Sequence, residues 1–273
     1  MYVNVQSIRM SHRGGVRRPW DMKIAIAGGT GTLGRQVADE LQARGHEVRV
    51  LSRGAPRYRV DLTTGAGLDK ALEDCEVVVD ASNNSSKTAA TTLVEGTGRL
   101  LAAEQSAGVA HHVCVSVVGC ELVPAGYFRV KAEQEDVVRR GPVPFSVVRA
   151  TQFHEYVAAT LGALARWRAV PVPRALVQPV ASAEVARTVA DAAERGPRGG
   201  RVEIAGPEMA SLADMARTWR RATGTRAALV PVPLPGGLGR ALRGGALTTD
   251  HADVRGAVTF EAWLGDGKNG EHG

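Results

Sequence analysis

The chain has 273 residues, 44% of them hydrophobic, a formal net charge of +6 at pH 7 and three cysteines. That length suits one large α/β domain or one domain with a small appendage, and the apolar content is enough to fill its core. No run approaches the ~18–20 apolar residues of a membrane span, Cys75, Cys114 and Cys120 form neither a disulfide framework nor a C-x-x-C pair, and no basic stripe with interleaved aromatics marks a nucleic-acid binder.

A cytoplasmic protein is therefore expected, monomeric or homodimeric, whose partner is a small molecule rather than a nucleic acid or a membrane. Residues 1–21 carry Arg9, Arg13, Arg17 and Arg18 against Asp21, half of the net charge, and have no clear period. Lacking an apolar h-region, they read as a disordered extension rather than a secretory signal, with Met22 a possible translation start. The remaining charge is spread along the chain, and the basic residues are nearly all Arg, with only five Lys.

In chain order, Lys23–Ala27 is a short strand, and Leu33, Val37 and Leu41 recur four apart in an amphipathic helix that Gly45 ends. Glu47–Leu51 is a second strand, a short third precedes Asp61, and Leu68–Leu72 marks a short helix. Glu76–Asp80 is an almost unbroken apolar strand of the kind buried in parallel sheets. A long helix is predicted over Lys87–Ala107, a strand over His112–Val118, a helix over Tyr127–Arg140 and a strand over Phe145–Arg149. This alternation over residues 22–155 implies a Rossmann-type, doubly wound parallel α/β sheet.

Past residue 150 the elements shorten: a helix near Phe153–Arg166, the Pro-rich Pro171-Val172-Pro173, a strand Leu176–Val180, a helix over Ser182–Glu194 capped by Ser182, and a strand Arg201–Ala205. A helix then starts at Ser211 and ends at Gly224, and Ala227–Val232 is a late strand. Residues 176–205 are expected to join the sheet. Residues 156–175 and 206–265 are expected to form a small C-terminal α+β substrate lid over its carboxyl edge, and 266–273 a frayed tail.

The most informative segment is Gly28-Gly29-Thr30-Gly31-Thr32-Leu33-Gly34, between the first strand and the first helix. Such a turn presents backbone N–H groups and a helix N-terminus to a pyrophosphate. Gly28 permits the turn, Gly31 the approach of phosphate oxygens, and Gly34 the close packing of helix and strand. The residue after the second strand faces the adenosine ribose, where a carboxylate would bond a 2′-hydroxyl and repel a 2′-phosphate. Here the sequence is Ser52-Arg53, with no carboxylate before Asp61. Arg53 offers a cationic fork to a phosphate, with Arg57 or Arg35 as a second clamp, which favours NADP(H) over NAD(H). Asp61 and Leu62 are expected near the adenine, and Ala81, Ser82 and Asn83 beside the middle of the cofactor.

Tyr127 and Lys131 stand four apart on a predicted helix and so share a face. A phenol becomes a useful acid–base group at neutral pH when a nearby cation lowers its pKa, and the lysine can also hold the nicotinamide ribose. Ser116, at the end of the preceding strand, is the candidate to polarise a carbonyl. No metal site is expected: His111 and His112 are adjacent on a strand, so their rings point to opposite faces. Cys114 reads as a small core residue, and Met215 and Trp219, four apart, as lid packing.

These segments, with Ser116-Val117-Val118-Gly119, Tyr127-Phe128-Arg129-Val130-Lys131-Ala132-Glu133-Gln134-Glu135, Val148-Arg149-Ala150-Thr151-Gln152-Phe153-His154-Glu155, Gln178-Pro179-Val180 and Ile204-Ala205-Gly206-Pro207-Glu208, resemble the short-chain dehydrogenase/reductase superfamily, in its atypical NmrA-like, NAD(P)H-binding branch. The resemblance runs from Met22 to about Gly265. It implies that Ala150 and Thr151 lie beside the nicotinamide and that Phe153 and His154 line a substrate pocket. It departs from the superfamily in the eleven-residue separation of Ser116 and Tyr127, slightly short of the usual Ser-Tyr-Lys arrangement. Many NmrA-like members also lack the full catalytic set and act as cofactor-sensing regulators.

The expected function is that of an NADP-dependent oxidoreductase reducing a small carbonyl, enone or quinone-like substrate, with Tyr127 as proton donor. A redox-sensing regulator that binds NADP(H) without turnover is the alternative, followed by a sugar-nucleotide epimerase-like enzyme.

Overall fold

The computed structural model describes residues 21–123 and 126–269. The expected N-terminal extension up to residue 20 and the last four residues of the expected tail lie outside the described residues.

The first half alternates strand and helix: β1 (Lys23–Ala27), α1 (Thr32–Ala43), β2 (Glu47–Ser52), β3 (Tyr58–Arg59), α2 (Leu68–Leu72), β4 (Val77–Asp80), α3 (Gly96–Ala107), β5 (His111–Val117), α4 (Gly126–Arg140) and β6 (Phe145–Ala150). It continues through α5 (His154–Ala165), β7 (Ala169–Pro173), β8 (Leu176–Val177), α6 (Ser182–Arg195), β9 (Gly200–Ala205), β10 (Ala210–Ser211), α7 (Leu212–Thr223), β11 (Ala228–Val232), α8 (Gly236–Arg243), β12 (Val254–Arg255) and α9 (Phe260–Asn269). Eight of the described strands form one sheet in the order β12-β9-β6-β5-β4-β1-β2-β3, and every pairing within it is parallel. The chain winds outward from β1 to β3 and then returns to place β4 on the other side of β1. Ligands of such sheets bind at this switch point, outside the carboxyl ends of the strands.

The strand period of two sorts the core into two layers. Ile24 and Ile26 of β1 face α1 and α6, packing with Val37, Leu41, Val185 and Val189. Ala25 and Ala27 face the other way, toward Leu72, Leu100, Leu101 and Val138. β4 is buried along its whole length, as strands covered on both faces must be. A third cluster holds the small α+β unit together: Val157 and Leu161 of α5, Val170 and Val172 of β7, Met215 and Trp219 of α7, and Phe260.

Several local expectations are corrected. The helix foreseen from Lys87 is regular only over Gly96–Ala107, after a π-helical turn at Thr91–Glu95. Upstream, the Asn84 amide donates to Thr88 Oγ1 at 3.1 Å and Thr92 Oγ1 at 2.9 Å and accepts from the Ser86 N–H at 2.9 Å. Such local side-chain bonds give the backbone an alternative to the helix. Ser182 is not a cap: Ala181 holds the cap position without a side-chain bond. The Ser182 hydroxyl instead donates to Glu155 Oε1 at 2.6 Å and accepts from Gln36 Nε2 at 2.8 Å. Pro171 and Pro173, foreseen only as a Pro-rich stretch, lie in β7, paired parallel with β11 in a two-stranded ribbon, where a missing N–H is tolerated at an edge. The strand foreseen over Leu176–Val180 shrinks to Leu176–Val177, paired with β10. Val254–Arg255, within the stretch foreseen as lid, adds the edge strand to the main sheet, and α9 runs into the expected tail.

Candidate cofactor cleft and active site

The glycine turn closes tightly on its neighbours. Gly28 has φ +72°, and a Cβ there would lie 2.7 Å from the Ala81 carbonyl oxygen. A Cβ on Gly34 would run into the Gly28 carbonyl, and one on Gly29 would lie 2.9 Å from the Ile26 carbonyl oxygen and from Val50. Gly31 differs, because its Cβ would meet only Gly28 O, at 3.2 Å. The Gly31 N–H donates to that same carbonyl at 2.9 Å. Helix α1 starts with no side-chain cap and no acidic residue in its first turn. Its leading N–H groups and the positive end of its dipole are thus open to an anion. Thr30, Gly31 and Thr32 are exposed there, while the Leu33 side chain packs in the core.

Two buried hydroxyls at this edge, Ser52 Oγ at the end of β2 and Ser82 Oγ after β4, have no hydrogen-bond partner among the described residues. Buried polar groups are normally bonded, so an uncapped helix end, a turn that only glycine fits and two orphaned hydroxyls suit a dinucleotide. Beside them Arg53 and Arg35 are exposed, whereas Arg57 stacks over the Tyr58 ring, 5.2 Å from its centroid. Asp61 is engaged locally: it accepts from the Thr63 hydroxyl at 2.7 Å and the Thr63 N–H at 2.9 Å. Those bonds, with the nearby Arg53 charge, hold its carboxyl below the usual range. The Leu62 side chain is part of the core rather than the cleft. Ala81 is half-buried, its N–H donating to Ala27 O at 3.0 Å, and Asn83 is exposed.

A buried polar chain links this cradle to α4. Asp80 Oδ1 accepts from the Ser82 N–H at 3.0 Å, and Oδ2 from Thr97 Oγ1 at 2.9 Å and Gln134 Nε2 at 3.0 Å. Gln134 Oε1 accepts from the Lys131 ammonium, which also donates to the Val115 carbonyl at 2.7 Å. Asp80, Thr97 and Gln134 are fully buried and Lys131 is 2% exposed. Sequence reasoning gave roles to Lys131 and Ser82 in this chain and none to Asp80, Thr97 or Gln134. The Lys131–Gln134 spacing of three on one helix face was the available signal.

Tyr127 stands one turn before Lys131, its ring edge-on to Phe128 at 5.7 Å, and its hydroxyl makes no hydrogen bond among the described residues. Lys131 does lower the Tyr127 pKa, as expected, but burial outweighs it and leaves the phenol above its ordinary value. Ser116 is buried, its Oγ 4.0 Å from Cys120 Sγ, and it does not bond Tyr127. Burial pushes the Cys120 thiol up to about 12, which makes it inert at neutral pH.

At the carboxyl end of β6, Ala150 is buried, and Thr151 Oγ1 accepts from the Gly206 N–H at 3.2 Å. Phe153 packs on the core beneath α1 and α6. His154 is corrected from a pocket residue to a core residue. It is fully buried, its Nε2–H donates to the Val258 carbonyl at 2.9 Å, and its ring lies 5.5 Å from Phe260 and 5.7 Å from Trp263. Burial lowers its pKa, and its ring contacts join α5 to α9. The residue missed on this helix is Tyr156, 68% exposed and near enough to Tyr127 to raise its pKa. The segment after α8 closes the same edge. Gln152 Nε2 donates to Leu247 O at 2.8 Å and the Thr249 N–H to Gln178 Oε1 at 2.9 Å, while a Cβ on Gly119 (φ +68°) would overlap the Ala246 carbonyl.

His111 and His112 point to opposite faces. His111 Nε2 meets Ser146 Oγ at 3.0 Å, and His112 Nδ1 meets Glu104 at 2.9 Å, both of this latter pair fully buried. Burial would lower the His112 pKa, but the Glu104 carboxylate outweighs it and holds the imidazole above its usual range.

A family model described as NAD(P)H-binding matches residues 28–195. Among curated proteins, the photosystem II assembly factor Ycf39 of Trieres chinensis is 28% identical over 149 residues, which are 49% of this chain and 47% of that protein. The chain thus spans about half the length of the curated relative it matches. Among solved structures, an NADPH-dependent quinone oxidoreductase of Escherichia coli complexed with NADPH superposes with a TM-score of 0.69 at 18% identity, covering 90% of this chain and all of that one. A short-chain dehydrogenase/reductase superfamily protein of Agrobacterium tumefaciens with bound NAD gives a TM-score of 0.70 at 19% identity, covering 91% and 97%. At these identities the two structures establish the fold.

Proposed function

Because the chain belongs to the NAD(P)H-binding family, we propose that it is an NADP-dependent reductase of a small carbonyl, enone or quinone-like molecule, of the atypical NmrA-like short-chain dehydrogenase/reductase kind. The observation that carries the reading is the place of Tyr127, a half-buried phenol set one turn before Lys131 on the helix that the buried polar chain ties to the Gly28–Gly34 cradle.

Gly28 to Gly34, with Ser52 and Ser82, would hold the dinucleotide. The exposed Arg53 and Arg35, in place of a carboxylate after β2, support a 2′-phosphate. Bound NADPH would supply the hydride. Tyr127 would donate a proton to the substrate oxygen, and its raised pKa fits a group that must arrive protonated. Tyr156, close enough to Tyr127 to affect its pKa, would flank a flat substrate.

The test is Tyr127→Phe, which keeps NADPH affinity and loses NADPH consumption with small carbonyls and quinones. Equal turnover by the variant overturns the proton-donor role. Arg53→Ala weakens NADPH binding about 10- to 100-fold if the guanidinium makes a charge-assisted bond to the phosphate, with NADH binding unchanged. A second reading is favoured by one observation: the Lys131 ammonium is held by Gln134 and Val115. A redox-sensing regulator would bind NADP(H) selectively and show no turnover across the same panel.

A further inference from the structure

The charge outside residues 1–21, read from the sequence as dispersed, is unevenly placed. Segments 156–175 and 206–265 hold ten Arg and five carboxylates, a net +5, and 156–175 holds Arg166, Arg168 and Arg174 with no carboxylate at all. This unit also carries an unusual helix. The buried side of α5 is His154, Val157 and Leu161. The opposite side, Tyr156, Ala159, Thr160 and Ala163, is exposed and uncharged. The turn continues through the Trp167 N–H, which donates to Leu164 O at 3.0 Å. At 3.6 residues per turn, positions 156, 160, 163 and 167 fall within about 60° of one line. Trp167 ends that line 81% exposed.

The chain then enters β7, whose outward residues Ala169 and Pro171 pair with Ala228 and Val230 of β11. All four are exposed, while Val170 and Val172 fill the core behind them. Arg166 and Arg168 flank Trp167 in the sequence, Arg174 follows β7 and Arg226 precedes β11; all four are exposed, and none pairs with a carboxylate among the described residues.

An exposed tryptophan on an uncharged flank, rimmed by arginines, matches a bilayer interface, where the aromatic ring enters the headgroup boundary and guanidinium groups meet lipid phosphates. We propose that the exposed flank of α5, with Trp167 and its neighbouring arginines, docks on an anionic lipid bilayer. A second copy of this chain fits worse, because a two-fold contact would set these arginines against each other with no carboxylate between them. A helix flank is convex, which offers no groove to a peptide. Among the described residues no helix is long and apolar enough to cross a membrane. The expectation of no membrane partner followed from the lack of a spanning segment, which surface docking does not need.

The test is co-sedimentation of the full chain with phosphatidylcholine vesicles with and without phosphatidylglycerol, at low and high salt. Binding is expected only to the anionic vesicles and to weaken with salt. Trp167→Glu abolishes it, and each of Arg166→Gln and Arg168→Gln lowers partitioning about fivefold, with thermal midpoints unchanged because these side chains are exposed. Equal binding to neutral vesicles, or no binding, overturns the proposal. So does anionic binding that survives all three substitutions, which would place it elsewhere, in the arginines before residue 22. Dimerisation without lipid that Trp167→Glu abolishes overturns it in favour of a second copy.

Discussion

Replacing Gln134 with leucine removes three contacts from a site with no access to water: the acceptor for the Lys131 ammonium and the donor to Asp80 Oδ2 and Thr97 Oγ1. Leucine fills similar volume, so the cost is polar rather than a cavity. The ammonium, 2% exposed, would keep only the Val115 carbonyl. Depriving a buried charge of a partner costs roughly 3–5 kcal/mol. At roughly 2–4 °C per kcal/mol for a chain of this size, the thermal midpoint should fall by about 6–20 °C. Asp80 retains Thr97 and the Ser82 N–H, so the loop after β4 stays tethered. NADPH affinity, measured by nucleotide fluorescence, should therefore fall far less than stability. The double variant Lys131→Met/Gln134→Leu removes the charge with its partner, and its loss should be smaller than the sum of the single losses by about 1–3 kcal/mol. A midpoint within about 2 °C of the parent for Gln134→Leu, or strict additivity in the cycle, would refute the network as a buried charge-holding unit.

Gly34→Ala forces a Cβ into the Gly28 carbonyl and should cost about 1–3 kcal/mol of stability, read by urea unfolding, together with NADPH binding. Gly31→Ala, facing open space apart from Gly28 O at 3.2 Å, should leave the midpoint unchanged and weaken NADPH binding. Similar affinity for Gly31→Ala and the parent would remove the phosphate from this turn. Stability should also fall as pH drops from about 6.5 toward 4. Burial holds His111 at about 4 and lowers His154, so the unfolded chain takes up protons there that the folded chain refuses. His112 acts in the opposite sense, adding stability below its unfolded value of about 6.5 that is lost as pH rises through its folded value. Urea titrations of His111→Gln should show a shallower loss between those limits, and a slope equal to the parent's would contradict the assignment.

The alternating elements up to β6 were legible because each depends on neighbours a few residues away. Ile24 and Ile26 against Ala25 and Ala27 already divide the strand into two faces, and a Cβ on Gly34 collides with the Gly28 carbonyl, six residues earlier in the same turn. Legibility failed where a side chain's partner is remote. Ser182 looks like a helix cap until Gln36 and Glu155 are brought to it. His154 looks like a pocket residue until Phe260, Trp263 and the Val258 carbonyl enclose it. Pro171 and Pro173 read only as a Pro-rich stretch until β11 pairs alongside them.

By itself, then, the sequence determined the doubly wound sheet, the phosphate-ready turn and the shared face of Tyr127 and Lys131, all set by spacing and local sterics. The tertiary structure alone decided what those side chains experience. Burial raises the Tyr127 phenol despite the lysine one turn away, and Gln134, Thr97 and Asp80, from three separate elements, take up the lysine's charge. Desolvation and long-range hydrogen bonding depend on which surfaces meet, and no spacing along the chain encodes that directly.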